Sequence, residues 1–231
     1  MIKNIIFDFG GVIAPIDRDK AVEAFVRLGL ADADLRLDKY HQTGIFQELE
    51  EGRISAEIFQ EKLGELCGRK LEWEETQRAW MGFFSTVSEG ILDYIEELRS
   101  SYKLYVLSNS NPYVMGWACS KDFSPTGNPL SHYFEKLYLS YEIGYTKPDK
   151  RIYQFVLDDA SLDPTETLFV DDGLANVEAG KELGMCVFSP ENGEDWRNKL
   201  KKYWKVLRSF RERLIFASLL RKTTRGVAQS G

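Results

Sequence analysis

The sequence has few cysteines and histidines, and it has no long apolar run. Cys67, Cys119 and Cys186 are odd in number and widely spaced, which argues against a disulfide framework or a zinc site and indicates a reducing compartment. His41 and His132 offer little material for histidine-based metal or phosphohistidine chemistry. No window of about 18 apolar residues occurs, so no membrane-spanning helix is predicted. The chain starts directly with the strand-like segment MIKNIIFDF, so we expect no signal peptide and a cytoplasmic location.

Charge is distributed unevenly along the chain. The net charge is −6, but residues 196–225 contain eleven Lys and Arg against one Glu, whereas residues 1–195 contain 19 basic and 35 acidic residues. An acidic body argues against a nucleic-acid surface, because a phosphate backbone requires a basic one. We therefore expect no nucleic acid among the partners.

The basic tail, residues 196–231, has its own pattern. Its apolar residues keep helical spacing, and Lys and Arg fill the other face. The apolar residues are Trp196, Leu200, Trp204, Leu207, Phe210 and Leu214. We favour a helix that covers the acidic body; the alternative is a helix that lies on an anionic membrane surface. Residues after Thr223 are expected to lack fixed structure. The oligomeric state stays open.

Hydrophobic periodicity changes once along residues 1–195. Residues 3–8 form an apolar run closed by Gly10 and Gly11, which is typical of a buried strand and a tight turn. From Asp17 to about Phe84, apolar residues recur three and four positions apart, which predicts a helical insertion. From residue 88, predicted helices and strands alternate: helix ILDYIEELRSS, strand KLYVLS, strand KLYLSYEIG, helix RIYQFVLDDA, strand TLFVD, helix ANVEAGKELG and strand MCVFSP.

This order of elements predicts an α/β fold. Strands that alternate with helices imply parallel crossovers and a doubly wound sheet with helices on both faces. We predict a catalytic core formed by residues 1–15 and 86–195, and an all-helical cap, residues 16–85, inserted after strand one.

Several predicted strands end on, or lead to, residues suited to phosphate chemistry. Ligands of open parallel sheets bind beyond the carboxyl ends of the strands, so groups delivered there converge on one site. The set offers carboxylates, a hydroxyl, backbone N–H groups and an amine, which together suit phosphoryl transfer; it comprises Asp8, Ser108, Asn109, Lys147, Asp171 and Asp172.

Taken singly, most of these residues have an ordinary structural explanation. Asp8 and Ser108 are common residue types at strand ends, and a loop lysine such as Lys147 is usually solvated. Asp171 and Asp172 differ, because two adjacent carboxylates after the apolar strand TLFV repel each other and lose solvation unless a cation compensates. The pair therefore indicates a divalent metal ion.

These residues lie in four segments of the chain, which together resemble the motifs of the haloacid dehalogenase-like superfamily, in the same order. Asp8 lies in FDFGGV, Ser108 in LSNSN, Lys147 in YTKPDKRIY, and Asp172 and Asn176 in VDDGLAN. The resemblance covers residues 1–195 and implies a Rossmann-like core with a helical cap. FDFGGV and LSNSN are most similar to the branch with bacterial sugar-phosphate phosphatases of the α-D-glucose-1-phosphate type.

The resemblance implies a Mg²⁺-dependent phosphatase that acts on a small phosphorylated metabolite, such as a sugar phosphate. Asp8 would attack phosphorus and form an aspartyl-phosphate that water hydrolyses. Lys147 would be catalytic and would also bind the phosphate, together with Ser108 and the Asn109 N–H.

The resemblance also implies a set of metal ligands. Mg²⁺ would be held by the Asp8 carboxylate, the Gly10 carbonyl and Asp172, since hard oxygen ligands favour this ion over zinc. Asp171 and Asn176 would orient Asp172 and the metal-bound waters.

One position departs from the superfamily pattern. Many of its phosphatases carry a second Asp two residues after the nucleophile as general acid and base, and here that position is Gly10. Such a group contributes about 10²–10⁴ in rate. Its absence predicts a substrate with a good leaving group, a replacement by a cap residue or water, or low activity. The sugar-phosphate branch also lacks this Asp, so we expect weak-to-moderate activity with a preference for anomeric phosphates. A phosphoglucomutase-like reaction needs the missing acid and is disfavoured.

Two other functions remain open at this point. An L-2-haloacid dehalogenase also lacks the second Asp but needs no metal, so the pair Asp171 and Asp172 argues against it. A catalytically weak domain that serves partner binding is disfavoured because all four motifs are kept.

Substrate choice is expected to lie in the cap. Polar or aromatic candidates exist there, although packing or solvation of the cap helices explains most of them equally well: Tyr40, His41, Gln42, Phe46 and Arg53. None of them is assigned a role.

Overall fold

The computed structural model describes residues 1–38 and 42–205. The chain divides into two compact units, Met1–Glu194 and Asp195–Gly231. In the second unit residues 197–205 are helical, whereas the tail positions Leu207, Phe210 and Leu214 lie outside the described residues. Within the described ranges, no helix combines the length and the apolar character that a membrane crossing requires.

The first unit is built on a five-stranded sheet. Its strands are β1 (Asn4–Phe7), β2 (Lys103–Ser108), β3 (Lys136–Leu139), β4 (Thr167–Val170) and β5 (Cys186–Phe188), in the spatial order β3-β2-β1-β4-β5. All four pairings are parallel. The predicted parallel α/β fold is confirmed.

After β1, the described residues of the cap form five α-helices. They are α1 (Arg18–Leu28), α2 (Ala33–Arg36), α3 (Ile45–Glu50), α4 (Ala56–Leu66) and α5 (Trp73–Trp80). Ser55 caps the start of α4, since its side chain accepts a hydrogen bond from the Ile58 N–H. The described residues of this cap contain no strand, in agreement with the helical pattern; the division into cap and core domains stays a prediction.

The remaining helices alternate with the strands. They are α6 (Glu89–Arg99), α7 (Pro112–Ala118), α8 (Ser140–Ile143), α9 (Lys150–Asp159) and α10 (Leu174–Glu182). Side chains of the sheet alternate between two buried faces. On one face Ile6 and Phe169 pack with Ile152 and Val156 of α9 and with Ala179 of α10.

One predicted strand is too long. Residues 136–144 are predicted as a single strand, but β3 ends at Leu139 and residues Ser140–Ile143 form the short helix α8. The helix ends at Gly144, which has φ 87° and whose N–H donates to the Ser140 carbonyl. A left-handed glycine after an apolar run is a helix-termination signal that periodicity alone overlooks.

The two connections between core and cap lie side by side. Ile16 and Phe84 form an isolated antiparallel bridge. The Asp17 N–H donates to the Phe83 carbonyl (2.7 Å), and the Ser85 N–H donates to the Pro15 carbonyl (3.0 Å). The cap therefore leaves and re-enters the core at one paired crossing.

Candidate active site

Asp8 follows the central strand of the sheet. Its N–H donates to the Val170 carbonyl of β4 (2.8 Å), which continues the ladder by one residue beyond β1. Its Oδ1 accepts the Phe9 N–H at 2.7 Å. The chain then turns sharply at Gly11, which has φ +81°. The strand order changes direction at β1, so Asp8 lies at the position where open parallel sheets bind ligands.

Lys147 connects two of the predicted carboxylates. Its Nζ lies 2.8 Å from Asp8 Oδ1 and 2.7 Å from Asp171 Oδ2. The lysine side chain is 1% exposed and that of Asp171 is fully buried. A buried ammonium is stable only with such partners, because removal from water is costly for an isolated charge. The lysine is therefore part of the site and not a solvated loop residue.

The pKa values of Asp8 and Lys147 are both raised in the folded protein. Burial, opposed by Lys147 and assisted by Asp171, raises the pKa of the Asp8 carboxyl to about 8. Burial disfavours the charged lysine, but the carboxylates of Asp171 and Asp8 outweigh it and raise the pKa of Lys147. Three carboxylates around one ammonium leave a surplus of negative charge, which a further cation would neutralise.

The carboxylate cluster fits a hard divalent cation. Asp8, Asp171 and Asp172 each offer an oxygen atom, and these atoms lie within 4.8 Å of one another. Carboxylate oxygens at this separation are the donor type that Mg²⁺ prefers. Both contacts of Asp8 described above use Oδ1, so its Oδ2 has no partner among the described residues.

Asp171 is already saturated with hydrogen bonds. Its Oδ1 accepts the Gly173 N–H (2.7 Å) and the Asn176 Nδ2 (3.0 Å). Its Oδ2 accepts Lys147 and, at 3.2 Å, Asn176 Nδ2 again. Few lone pairs remain for a metal ion, so Asp8 and Asp172 are the better ligands of the three.

Asn109 has a role that the sequence did not reveal. Its Oδ1 accepts the Lys147 N–H at 2.7 Å, and its Nδ2 donates to the Lys147 carbonyl at 3.0 Å. These two bonds fix the backbone of Lys147 to the end of β2. Ser108 is buried and donates to the Asn109 carbonyl at 3.3 Å, a long bond that a better acceptor can replace.

A cavity of about 50 Å³ lies between cap and core. Gly10, Ser108 and Asn109 line it from the core. Three predicted site residues therefore open into one space.

The structure shows which of the cap residues considered for substrate choice reach the cavity. Gln42 lines the cavity, but its amide is paired with the Asp38 backbone at 2.7 and 3.1 Å. Phe46 is fully buried among aromatic rings of the cap, and Arg53 is exposed and pairs with Glu51 at 2.9 Å. Tyr40 and His41 lie outside the described residues.

Glu50 was missed by the sequence reasoning. This residue ends α3, is 8% exposed and lines the cavity. In the sequence it belongs to the acidic run ELEEG, which is typical of a solvated helix face. The available signal was the turn at Gly52, which has φ +66° and ends the helix so that its last residue faces inward.

Comparison with known families gives one match that spans most of the chain. The profile of the haloacid dehalogenase-like hydrolases matches residues 2–184. A D-ribitol-5-phosphate phosphatase of Bacteroides thetaiotaomicron is 64% identical over 200 residues, which cover 87% of this chain and 97% of that protein.

Solved structures give the same result. A predicted HAD-like family hydrolase from Porphyromonas gingivalis superimposes with a TM-score of 0.84 at 39% identity, over 88% of this chain and 98% of that one. A HAD family enzyme from Bacteroides thetaiotaomicron, solved with magnesium and inorganic phosphate, gives 0.78 at 36% identity, over 86% and 98%.

Proposed function

Because this chain belongs to the haloacid dehalogenase-like hydrolase family, we propose that its carboxylate cluster hydrolyses the phosphate ester of a small sugar alcohol or sugar. The family resemblance found in the sequence is confirmed, and the chain is a phosphoric monoester hydrolase that uses Mg²⁺. The observation that carries the assignment of residues is the buried Lys147 ammonium between Asp8 and Asp171.

Asp8 is the proposed nucleophile. Its carboxylate attacks phosphorus, the bond from phosphorus to the alcohol oxygen breaks, and the alcohol takes up a proton. Water then hydrolyses the aspartyl-phosphate, which returns the carboxylate, inorganic phosphate and a proton. Oδ2 of Asp8, which has no hydrogen bond among the described residues, supports this role, because Oδ1 is occupied by Phe9 and Lys147.

Other residues bind the phosphate or hold the lysine in position. Lys147, Ser108 and the Asn109 N–H bind phosphate oxygens, and the Asn109 side chain keeps the lysine at the end of β2. Pairing of Lys147 with a carboxylate and a phosphate at once balances its charge throughout the reaction.

Mg²⁺ has a separate set of proposed ligands. Asp8, Asp172 and the Gly10 carbonyl would hold the ion, whose positive charge offsets the repulsion between an anionic nucleophile and an anionic phosphate. Asp171 and Asn176 hold the neighbouring carboxylate and loop in place, since their hydrogen bonds are already made to each other and to Gly173.

The substrate is proposed to be a primary phosphate such as D-ribitol 5-phosphate. The relative that is 64% identical bears that substrate in its name. The anomeric preference expected from the absence of an acid at Gly10 stays a prediction, and the assay below decides between the two. A cytoplasmic location and the absence of nucleic-acid and membrane partners are also proposals.

Phosphate release tests this function. Wild type is assayed with Mg²⁺ and with EDTA on D-ribitol 5-phosphate, ribose 5-phosphate, glucose 1-phosphate and a nucleoside monophosphate. We expect EDTA to abolish release and Asp8→Asn to reduce it at least about 10³-fold. Asp93→Asn, at an exposed position of α6, is the control and should match wild type. Release that survives EDTA or Asp8→Asn contradicts the proposal, and halide release from 2-chloropropionate in EDTA would indicate a dehalogenase.

A further inference from the structure

We propose that the cavity between cap and core binds the hydroxyl-bearing end of a phosphorylated polyol or sugar, and that Glu50 is the residue that selects it. This inference rests on the proposed phosphatase function and deepens it. It concerns the end of the substrate remote from the phosphate, for which the four motifs provide no residue.

Glu50 lies opposite the phosphate-binding residues in the same space. The cavity is lined from the core by Gly10, Ser108 and Asn109, and from the cap by Glu50 and Trp80. Glu50 makes no hydrogen bond or ion pair with any residue in the described ranges, although only 8% of it is exposed. A ligand in the cavity would supply the partner that the described residues do not.

Three further residues of the lining carry buried polar atoms without a partner in the described part of the chain. They are Trp80 Nε1, Ser110 Oγ and Asn111 Nδ2. Leaving a buried donor unsatisfied costs about 1–3 kcal/mol, so three such atoms around one cavity indicate a polar ligand.

The positions of these donors are fixed by packing. The Trp80 ring is held edge-on by Phe25 at a centroid distance of 5.5 Å and lies 5.5 Å from the ring of Phe46. The Asn111 Oδ1 is used to cap α7, where it accepts the N–H groups of Tyr113 (3.1 Å) and Val114 (3.2 Å). Nδ2 of Asn111 therefore stays available while the side chain cannot rotate.

The chemistry of the lining matches hydroxyl groups better than a second anion. Among the described lining residues Glu50 is the single titratable one, and none is Lys or Arg. Burial, followed by the charge of Glu51, raises the pKa of the Glu50 carboxyl to about 8. Near neutrality it can both donate and accept a hydrogen bond, as a hydroxyl does. A distal carboxylate or phosphate would find no cation among these described lining residues.

Two five-carbon esters with the same phosphate test the inference. Kinetics are measured for D-ribitol 5-phosphate and for n-pentyl phosphate, which lacks the hydroxyls, with wild type, Glu50→Leu and the control Glu48→Leu. Glu48 lies on the same helix outside the cavity lining and pairs with Lys62 at 3.1 Å. We expect Glu50→Leu, which removes both the donor and the acceptor, to lower kcat/KM for the polyol ester at least about tenfold, mainly through KM, and that for the pentyl ester less than about threefold. Glu48→Leu should leave both unchanged.

The outcomes separate this inference from the proposed function. Equal losses of kcat/KM on the two esters, or a loss confined to kcat, would mean that Glu50 acts at the reacting centre or stabilises the fold. Either result overturns the inference and leaves the proposed phosphatase function intact. If wild type releases no phosphate, the proposed function fails, and calorimetry of D-ribitol 5-phosphate binding with Mg²⁺ decides the inference. Binding at least tenfold weaker in Glu50→Leu then supports it, and equal or absent binding overturns it.

Discussion

Replacement of Glu50 by Gln is expected to stabilise the protein, and the gain should grow as pH rises. The neutral Gln side chain has the shape of a protonated carboxyl, so packing against the cavity is unchanged. What changes is the cost of ionising a buried group. Glu50 is 8% exposed and has no cationic partner among the described residues, so little solvent screening offsets this cost.

The magnitude follows from the shifted pKa. Burial, followed by the charge of Glu51, raises the pKa of Glu50 from 4.5 to about 8 in the folded protein. Between these values the folded chain holds a proton that the unfolded chain has lost, so wild-type stability falls as pH increases. The fall amounts to about 1 kcal/mol at pH 5 and about 4 kcal/mol at pH 8. Glu50→Gln removes it.

Urea unfolding measured at pH 5, 6, 7 and 8 tests this reasoning. The difference in unfolding free energy between Glu50→Gln and wild type should widen by about 3 kcal/mol across the series. Glu48→Gln, which loses only a surface ion pair with Lys62, should stay within about 1 kcal/mol of wild type. A constant difference between Glu50→Gln and wild type would refute the view that burial keeps this carboxyl protonated.

Three further substitutions probe the catalytic end. Gly11→Ala places a methyl group against the Asp172 carboxylate and should weaken Mg²⁺ binding at least about tenfold in calorimetry. Gly68→Ala, at φ +67° with nothing within 4 Å, imposes similar backbone strain and should not affect Mg²⁺ binding; equal losses in both would assign the effect to strain. Asn109→Ala removes both hydrogen bonds to the Lys147 backbone. It should lower the free energy of unfolding in urea by about 1–3 kcal/mol and should also reduce turnover. Turnover at the wild-type rate would contradict the view that Asn109 holds the lysine in place. Lys147→Met removes the ammonium that pairs with Asp8 and Asp171 and should cost about 3–5 kcal/mol in urea unfolding; a stability equal to that of wild type would contradict the ion pairs.

The chemistry at the strand ends was predictable because each group follows a short apolar run. Asp8 and Asp171 end buried strands, and parallel strands bring their carboxyl ends to one edge whatever lies between them in sequence. The helical cap was predictable for a similar reason, since periodicity is a local property. The place of Lys147 came from the family resemblance, because a loop lysine has no periodic signal.

The residues that fill the cavity were not predictable. Glu50 and Trp80 come from the cap and Asn111 from the start of α7. Their proximity therefore depends on how two segments that are far apart in the sequence pack together. Asn109 was predicted only through its backbone N–H, because a hydrogen bond to a residue 38 positions away leaves no mark in the sequence. The helix α8 was missed because four residues are too few to establish a helical period.

The paired crossing at Ile16 and Phe84 has an evolutionary consequence. Because both ends of the cap leave the core at adjacent points, an ancestral chain could lengthen, shorten or exchange the cap without moving Asp8 or Lys147. Insertions whose ends lie close together are the kind that folded domains tolerate best. Substrate range can thus diversify in one segment while the phosphate chemistry is inherited unchanged in the other, and homologues with unrelated substrates are expected to differ first between these two residues.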